Sequence, residues 1–406
     1  METTQFKVYR YRWVMLIVYM FMVAVNQMLW ITFAPITSDT ARYYHVTDIQ
    51  VGMLSMVFMI VFIVMSFPAS WLIDKYGIRI GVGTGAVLTG AFGLLRGLVN
   101  DNYSLLLTAQ IGIAVGQPFL LNAITKLAAR WFPIKERATA AGLGTLAMYI
   151  GILTAMLLTP YLAISNGISG VLYIYGVVAV IAAVLFLVFV KEHPPTAPCL
   201  PGQEERSLVV DGLKDVLSNR GFYLVLFIFF VGLGIFNSVT TWIENILSPR
   251  GFSATQAGVA GGLMILGGVM GALIMPMLSD RYKKRVPFII LALAGSTLGL
   301  VGITFSANYT VVLLSSILFG YFLLSAGPIG FQYGAEITYP ASEGTSNGLI
   351  LLVGQISGIA FIFGMDSFKS SDTGSMTVPL TYLIVLMVIA VAVSFKLKES
   401  KLLTDS

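Results

Sequence analysis

The chain has 406 residues, of which 57% are apolar and only 11% are charged. A soluble protein of this length carries about 25% charged residues, so the composition excludes an ordinary soluble domain and predicts a membrane protein. The net charge of +5 does not indicate a nucleic-acid partner, because the basic residues lie in short clusters between apolar stretches. Cys199 is the only cysteine, which excludes an intramolecular disulfide and a cysteine-based metal site.

Apolar stretches long enough to cross a bilayer recur along the chain, since the hydrocarbon core needs about 20 helical residues. Six precede a polar segment and six follow it, at 13–37, 49–71, 80–99, 103–128, 137–161, 168–190, 221–247, 255–279, 287–306, 309–335, 342–365 and 377–395. The first stretch is too long for a cleaved signal peptide and is interpreted as a retained span. We predict an all-α membrane protein with twelve transmembrane helices.

Lysine and arginine are distributed unequally between the loops. Most of them fall on alternate loops, at Lys7, Arg10, Arg12, Lys75, Arg79, Arg130, Lys135, Arg137, Lys191, Lys214, Arg281, Lys283, Lys284, Arg285, Lys396 and Lys398. Because positively charged loops stay in the cytoplasm, we predict a multi-pass protein of the plasma (inner) membrane with both termini cytoplasmic. The polar stretch at 191–220 then forms a cytoplasmic linker between bundles at 1–190 and 221–406.

The two halves carry the same markers in the same order and at nearly the same spacing. The matching pairs are Asp74 and Asp280, Pro133 and Pro340, and Lys126 and Glu336. Such a repeat predicts two pseudo-symmetric six-helix bundles, related by an axis along the membrane normal, with a binding site where the halves meet. The loop after the second span, Asp74-Lys75-Tyr76-Gly77-Ile78-Arg79, resembles the signature loop of the major facilitator superfamily. This resemblance implies the major facilitator fold.

Charged residues near the cytoplasmic helix ends predict gates. Asp74 can face the N-terminal end of the eleventh helix, and Asp280 that of the fifth, which would hold the cytoplasmic side shut. Alternatively, both are solvated helix-end charges. Lys126 and Glu336 occupy equivalent positions and predict an ion pair between the halves, unless each side chain reaches the interface independently. The gating candidates are Asp74, Arg79, Lys126, Arg137, Asp280, Glu336 and Glu343.

Uncharged polar side chains recur within the spans, where lipid contact is unfavourable, so we expect them to line a central cavity. The candidates for substrate binding are Asn26, Trp30, Gln117, Asn122, Asn237, Gln332 and Gln355. Alternatively, these groups only hydrogen-bond between helices. Arg96 and Glu244 lie near the outer ends of their helices, where long side chains can reach the interface. No Asp or Glu lies at the midpoint of a predicted span, which favours transport without ion coupling.

Two longer runs point to a particular family. The run from Arg12 to Ile31 and the stretch from Glu336 to Leu349 resemble the feline leukaemia virus subgroup C receptor-related transporters. The resemblance implies transport of choline, ethanolamine or haem. It also implies a pocket at Asn26, Trp30, Gln117 and Gln355 with an aromatic side chain from helix seven, in which the Trp30 indole holds a quaternary ammonium by cation–π attraction.

The chain departs from that family pattern at two pocket positions. The helix-seven aromatic corresponds to Asn237, with Phe236 adjacent, and the helix-five glutamine falls at Tyr149. Phe236 and Tyr149 therefore join the substrate-binding candidates, and Asn237 stays among them. The departures leave open whether the substrate is choline itself or another small polar molecule.

We predict a monomeric carrier that lies in the lipid bilayer and moves a small organic solute by alternating access. The solute is a choline-like amine or another small polar metabolite, and transport is facilitative. The alternative is a proton- or sodium-coupled symporter or exporter of an unrelated solute, such as haem or an organic anion attracted by Lys126. No nucleophile–base or metal constellation is visible, because His45 and His193 both lie in loops. We therefore expect neither an enzyme nor a cofactor.

Overall fold

A computed structural model of the chain describes residues 8–99, 101–196, 198, 216–339 and 343–400. Part of the predicted linker, together with Lys7, Cys199 and Pro340, lies outside the described residues, as does the side chain of Glu343. The principal helices, numbered in chain order, are α1 Tyr11–Ile31, α2 Thr37–Tyr44, α3 Asp48–Leu98, α4 Tyr103–Leu121, α5 Ile124–Trp131, α6 Ile134–Phe189, α7 Arg220–Thr241, α8 Ile243–Leu247, α9 Ala254–Tyr282, α10 Val286–Phe305, α11 Tyr309–Thr338, α12 Glu343–Ser367 and α13 Thr377–Ser394.

Ten continuous helical stretches of the described residues are long and apolar enough to cross a membrane. Two of them, α3 and α6, have 51 and 56 residues, whereas one crossing needs about 20. The backbone φ is +87° at Gly77 in α3 and +68° at Gly167 in α6, a region that L-residues with a Cβ rarely adopt. Each of these helices is interrupted there and supplies two spans. The prediction of a twelve-helix membrane protein is confirmed.

Two predicted spans end earlier than their apolar sequence suggested. The first was expected to reach residue 37, but α1 ends at Ile31, and a 3-10 turn at Ala34–Ile36 follows. Pro35 lies in that turn and has no backbone N–H to continue an α-helix. The seventh was expected to reach residue 247, but α7 ends at Thr241 and α8 begins beyond Trp242. Both predicted spans are therefore broken before their expected ends.

The described chain divides into two compact units. The first consists of Met1–Thr32, Arg42–Val46 and Ile60–Ser207. The second consists of Phe33–Ala41, Thr47–Met59 and Leu208–Ser406. Two short segments from the first half of the sequence thus belong to the second unit. The domain boundaries at 190 and 221 stay a prediction.

Small residues bring helix backbones together within each unit. In the first unit, α1 packs on α6, and a Cβ at Gly151 would collide with the Ala24 carbonyl. In the second unit, α9 packs on α11, and a Cβ at Gly271 would collide with the Tyr321 carbonyl. Such contacts are the usual way in which helices associate in lipid, where no hydrophobic force draws them together.

Candidate functional site

Asn26 lies on α1 in the first unit and is completely buried. Its Nδ2 donates a hydrogen bond to Thr89 Oγ1 on α3 (3.1 Å), and its Oδ1 accepts one from Gln27 Nε2 (3.2 Å). Both ends of the amide therefore have protein partners. This is the hydrogen bonding between helices that the sequence left open as the alternative to a ligand role.

Trp30 lies one residue before the end of α1 and is buried. The carbonyl of the preceding residue, Leu29, accepts hydrogen bonds from three side chains. These are Arg96 Nη1 at 2.9 Å, Thr32 Oγ1 at 3.2 Å and Gln110 Nε2 at 3.3 Å. The break in α1 leaves its last carbonyls without the amide partners that a continuing helix would supply. The side chains of Thr32, Arg96 and Gln110 take the place of those amide donors. We call Leu29, Thr32, Arg96 and Gln110 the Leu29 carbonyl cluster.

The sequence placed Arg96 at the interface, and this expectation was wrong. The side chain has 0% exposure and points into the first unit, where Nη1 also donates to Gln110 Oε1 (3.1 Å). The physical reason is that the broken end of α1 offers carbonyl and hydroxyl oxygens inside the unit. A guanidinium carries five donors and can satisfy several such acceptors at once.

The other first-unit candidates lie on α4 and α6. Gln117 is buried, whereas Tyr149 is partly exposed. Asn122 caps the C-terminus of α4, and its Nδ2 lies 3.0 Å from the hydroxyls of Ser66 and Ser70 on α3. Asn122 is thus engaged within its own unit.

The second unit contains the remaining substrate-binding candidates. Phe236 on α7 is buried, and Asn237 and Gln355 are partly exposed. Gln332 on α11 is exposed, and its Nε2 donates to Glu336 Oε1 (3.1 Å). Gln332 therefore belongs with the charged residues at the end of α11. The convergence of all nine candidates from both units on one cavity stays a prediction.

Three gating candidates of the first unit have side-chain partners within that unit. Lys126 is buried, and its Nζ lies 2.9 Å from both Asp74 Oδ1 and the Ile73 carbonyl. Arg137 Nε donates to the Phe132 carbonyl (3.2 Å). Asp74 thus neutralises a buried ammonium on its own unit.

The interruption at Gly77 has an acid partner that the sequence did not suggest. Glu192 Oε2 accepts from the backbone N–H of Arg79 (2.8 Å), and Glu192 Oε1 accepts from that of Ile78 (3.0 Å). Arg130 forms an ion pair with the same carboxylate. A carboxylate on the first free N–H groups of a helix complements the helix dipole. Glu192 therefore caps the third span.

In the second unit, the equivalent charges meet through Arg285. The residue that matches Lys126 is the acid Glu336, so the two acids Asp280 and Glu336 need a cation between them. Arg285 forms ion pairs with both, and its Nη2 lies 3.2 Å from Glu336 Oε1. Burial lowers the pKa of Arg285, but its hydrogen bonds and the two acidic charges outweigh burial and raise it. Arg285 remains charged.

A cavity of about 380 Å³ lies beside this ionic cluster. It is lined by Pro276, Asp280, Arg285, Pro328, Ile329 and Gln332. The sequence marked Asp280 and Glu336 but missed Arg285 as their partner. The basic residues that follow Asp280, which include Arg285, could have indicated a cation close to these acids.

Glu244 was also expected to reach the interface, and the structure corrects this. It lies on α8, has 5% exposure, and accepts hydrogen bonds from the backbone N–H (3.1 Å) and hydroxyl (2.9 Å) of Ser38. One residue further, Asn245 Nδ2 donates to Asp48 Oδ2 (3.1 Å), which also accepts from Lys369 Nζ (2.8 Å). We call Ser38, Asp48, Glu244, Asn245 and Lys369 the Glu244 cluster. All five belong to the second unit.

The helical architecture defines the class as a polytopic, all-helical membrane protein. A family model described as Major Facilitator Superfamily matches residues 15–362. A bacterial homolog to the human lysosomal transporter Spinster, solved inward-facing and unoccupied, has the same fold (TM-score 0.78, 14% identity, 96% of this chain and 97% of that chain covered). The chain belongs to the major facilitator superfamily.

Relatives with higher sequence identity point to a smaller group of transporters within the superfamily. Solute carrier family 49 member A3 of Xenopus tropicalis is 33% identical over 379 residues, covering 89% of this chain and 78% of that protein. The choline/ethanolamine transporter flvcr2b of Danio rerio is 28% identical over 390 residues, covering 90% of this chain and 80% of that protein. The resemblance to the feline leukaemia virus subgroup C receptor-related transporters is thereby confirmed.

Proposed function

We propose that this protein carries a small, positively charged amine across the membrane by alternating access. The observation that carries the proposal is the similarity to a choline/ethanolamine transporter over 90% of the chain. Membership of the major facilitator superfamily supports a transport role and gives no support for an enzyme. We further propose a facilitative, monomeric carrier with both termini in the cytoplasm.

Trp30 is the residue on which amine recognition depends in this proposal. An indole face attracts a desolvated organic cation by roughly 2 kcal/mol, which corresponds to about a thirtyfold change in affinity. The Leu29 carbonyl cluster fixes the backbone directly before Trp30 and limits the conformations of this end of α1. A preorganised aromatic side chain binds more tightly, because less ordering is needed when the ligand arrives.

The amide groups of Gln117, Asn237 and Gln355 supply the polar side of the proposed site. An amide oxygen can accept a hydrogen bond from the hydroxyl of choline or from the ammonium of ethanolamine. Asn237 replaces the aromatic side chain that the family pattern has on helix seven. We therefore expect a relative preference for amines that donate hydrogen bonds over fully methylated ones.

Uptake of radiolabelled ethanolamine and choline by proteoliposomes tests this function. We expect Trp30→Ala to reduce amine uptake at least tenfold and Trp30→Phe to keep part of it, because a phenyl ring retains a weaker cation–π attraction. Trp71→Ala is the matched control, since Trp71 is 52% exposed on α3 and should leave uptake unchanged. If neither amine is bound or transported while another metabolite is, the amine proposal fails and the carrier proposal stands.

The alternative of an organic anion drawn by Lys126 is weakened by the geometry of the first unit. Lys126 is neutralised by Asp74 at 2.9 Å and also bonds a backbone carbonyl. An anion would have to displace a carboxylate that is already in place.

A further inference from the structure

Glu244 is a buried carboxylate that joins two distant parts of the sequence. Its Oε2 accepts from the backbone N–H of Ser38 at 3.1 Å, and both of its oxygens lie 2.9 Å from the Ser38 hydroxyl. Ser38 is on α2, within the segment 33–41 that belongs to the second unit. We call these Ser38–Glu244 contacts the latch. It ties a segment from the first half of the sequence to the short helix that follows the break in α7.

The charges around Glu244 are unusual for a buried carboxylate. Within the described part of the chain, no lysine, arginine or histidine forms an ion pair with it, whereas the negative charges of Asp39 and Asp48 both act on it. The cation of the cluster, Lys369, is held by Asp48 and Asp366. Further charged groups on the neighbouring elements are Arg42 on α2 and Arg250, which bonds the carbonyls of Ile246, Thr304 and Ser306.

Burial without a cation favours the neutral form of a carboxyl group, and nearby negative charges act in the same direction. Burial raises the pKa of Glu244 and the charges of Asp48 and Asp39 raise it further, while the hydrogen bonds from Ser38 lower it without cancelling the rise. The carboxylate therefore takes up a proton at a higher pH than an ordinary glutamate.

We propose that Glu244 is a proton-binding site of this carrier and that protonation there releases the latch. An ionised carboxylate accepts hydrogen bonds about twice as strongly as a neutral group, so the added proton weakens both contacts from Ser38. Both partners of the latch belong to the second unit, so its release is a local opening within that unit. Proton binding at Glu244 thereby sets how often segment 33–41 separates from α8.

The sequence did not mark Glu244 as a proton site, because Glu244 does not lie at the midpoint of a predicted span. Glu244 lies beyond the end of α7, on α8, where the sequence gives no sign of burial. It is buried because the chain turns at Trp242, whose indole N–H donates to the Ile362 carbonyl (3.1 Å). The proposal rests on the carrier function but not on the identity of the substrate.

Thiol accessibility in purified protein in nanodiscs tests the proposal without any substrate. In a Cys199→Ser background, Val51→Cys places a thiol at a position with 1% exposure next to the cluster. A separate Ser371→Cys protein gives an exposed reference at each pH, which removes the intrinsic pH dependence of thiol chemistry. We expect the normalised labelling rate at Val51→Cys to rise at least fivefold from pH 8 to pH 5.

Glu244→Gln mimics the protonated carboxyl and should label rapidly at both pH values. Asp372→Asn, which removes an exposed acid, should keep the full response to pH. Should Glu244→Gln fail to fold, Ser38→Ala removes the hydroxyl donor alone, and it should raise labelling at pH 8 and reduce the pH response. The proposal is overturned by a flat wild-type profile, or by a Glu244→Gln or Ser38→Ala protein that responds to pH as the wild type does. Failure of the amine proposal would leave these outcomes unaffected, because no substrate is present in the labelling experiment.

Discussion

Arg96 shows how a single charge can hold a broken helix end in a membrane protein. Its guanidinium is completely buried and donates to the Leu29 carbonyl, to Gln110 and to Thr32 (3.3 Å). Buried charges are costly unless they are hydrogen-bonded, and removing one partner from such a set leaves the others unsatisfied. Arg96 is therefore expected to contribute to folding as well as to the position of Trp30.

We predict that Arg96→Ala destabilises the protein by roughly 3 kcal/mol, because it leaves acceptors unsatisfied and opens a cavity. The measurement is the apparent melting temperature in detergent, which should fall by several degrees. Arg96→Lys should recover part of the loss, since an ammonium can still reach one or two of the acceptors. Lys135→Ala is the control: Lys135 is exposed, and its removal should change stability by less than about 0.5 kcal/mol. Equal melting temperatures for Arg96→Ala and Lys135→Ala would contradict the prediction.

Asn26 shows the limit of inference from residue type alone. A polar side chain at mid-span signals either a ligand contact or a hydrogen bond between helices, and the sequence gives the same signal for both. Only the position of Thr89, which is 63 positions further along the chain, reveals a partner for the amide. The same holds for Lys126 and Asp74, which are distant in sequence but 2.9 Å apart.

At the scale of elements, the interruption at Gly77 depends on both backbone conformation and electrostatics. A residue with a Cβ at φ +87° and ψ −176° costs on the order of 1–3 kcal/mol, and a Cβ at Gly77 would also collide with the Glu192 carboxylate. The same carboxylate caps the two N–H groups that follow. The turn between the second and third spans thus relies on a residue that lies after the sixth span.

We predict that Gly77→Ala lowers the melting temperature more than Gly167→Ala. Both glycines have positive φ, but a Cβ at Gly167 would meet no atom within 4 Å. Both substitutions therefore introduce backbone strain, but only Gly77→Ala also displaces the Glu192 carboxylate that caps the third span. Glu192→Gln should destabilise the wild type but add little to Gly77→Ala, because the cap is already displaced there. Equal effects of the two glycine substitutions would show that Glu192 does not stabilise the turn.

The helices were predictable and their breaks were not, for a physical reason. An apolar stretch of about 20 residues must be helical in lipid, where every backbone group needs an internal partner. The breaks after Ile31 and Thr241 depend on contacts with other helices: Arg96 at the first, and the Ile362 carbonyl bonded by Trp242 at the second. The burial of Glu244 follows from the second break, so it could not be inferred from sequence either.

At the scale of the whole molecule, the repeat seen in the sequence reappears as two different solutions to one electrostatic problem. In the first unit an acid meets a lysine directly, Asp74 with Lys126. In the second unit the lysine is replaced by Glu336, and Arg285 is recruited between the two acids. The sequence predicted that these positions are equivalent. It did not identify Arg285 as the cation that the second unit needs once Glu336 takes the place of the lysine.

The orientation of the chain in the membrane provides the last prediction. Lysine and arginine are concentrated in the loops that contain Lys75 and Lys135, whereas Lys369 is the only basic residue in the loop around Ser371. Basic loops remain in the cytoplasm during insertion. In cells that express single-cysteine proteins in a Cys199→Ser background, Ser371→Cys should therefore react with a membrane-impermeant maleimide before permeabilisation. Lys135→Cys, exposed on the opposite set of loops, should react only afterwards, and the reverse order would mean that the Glu244 cluster faces the cytoplasm.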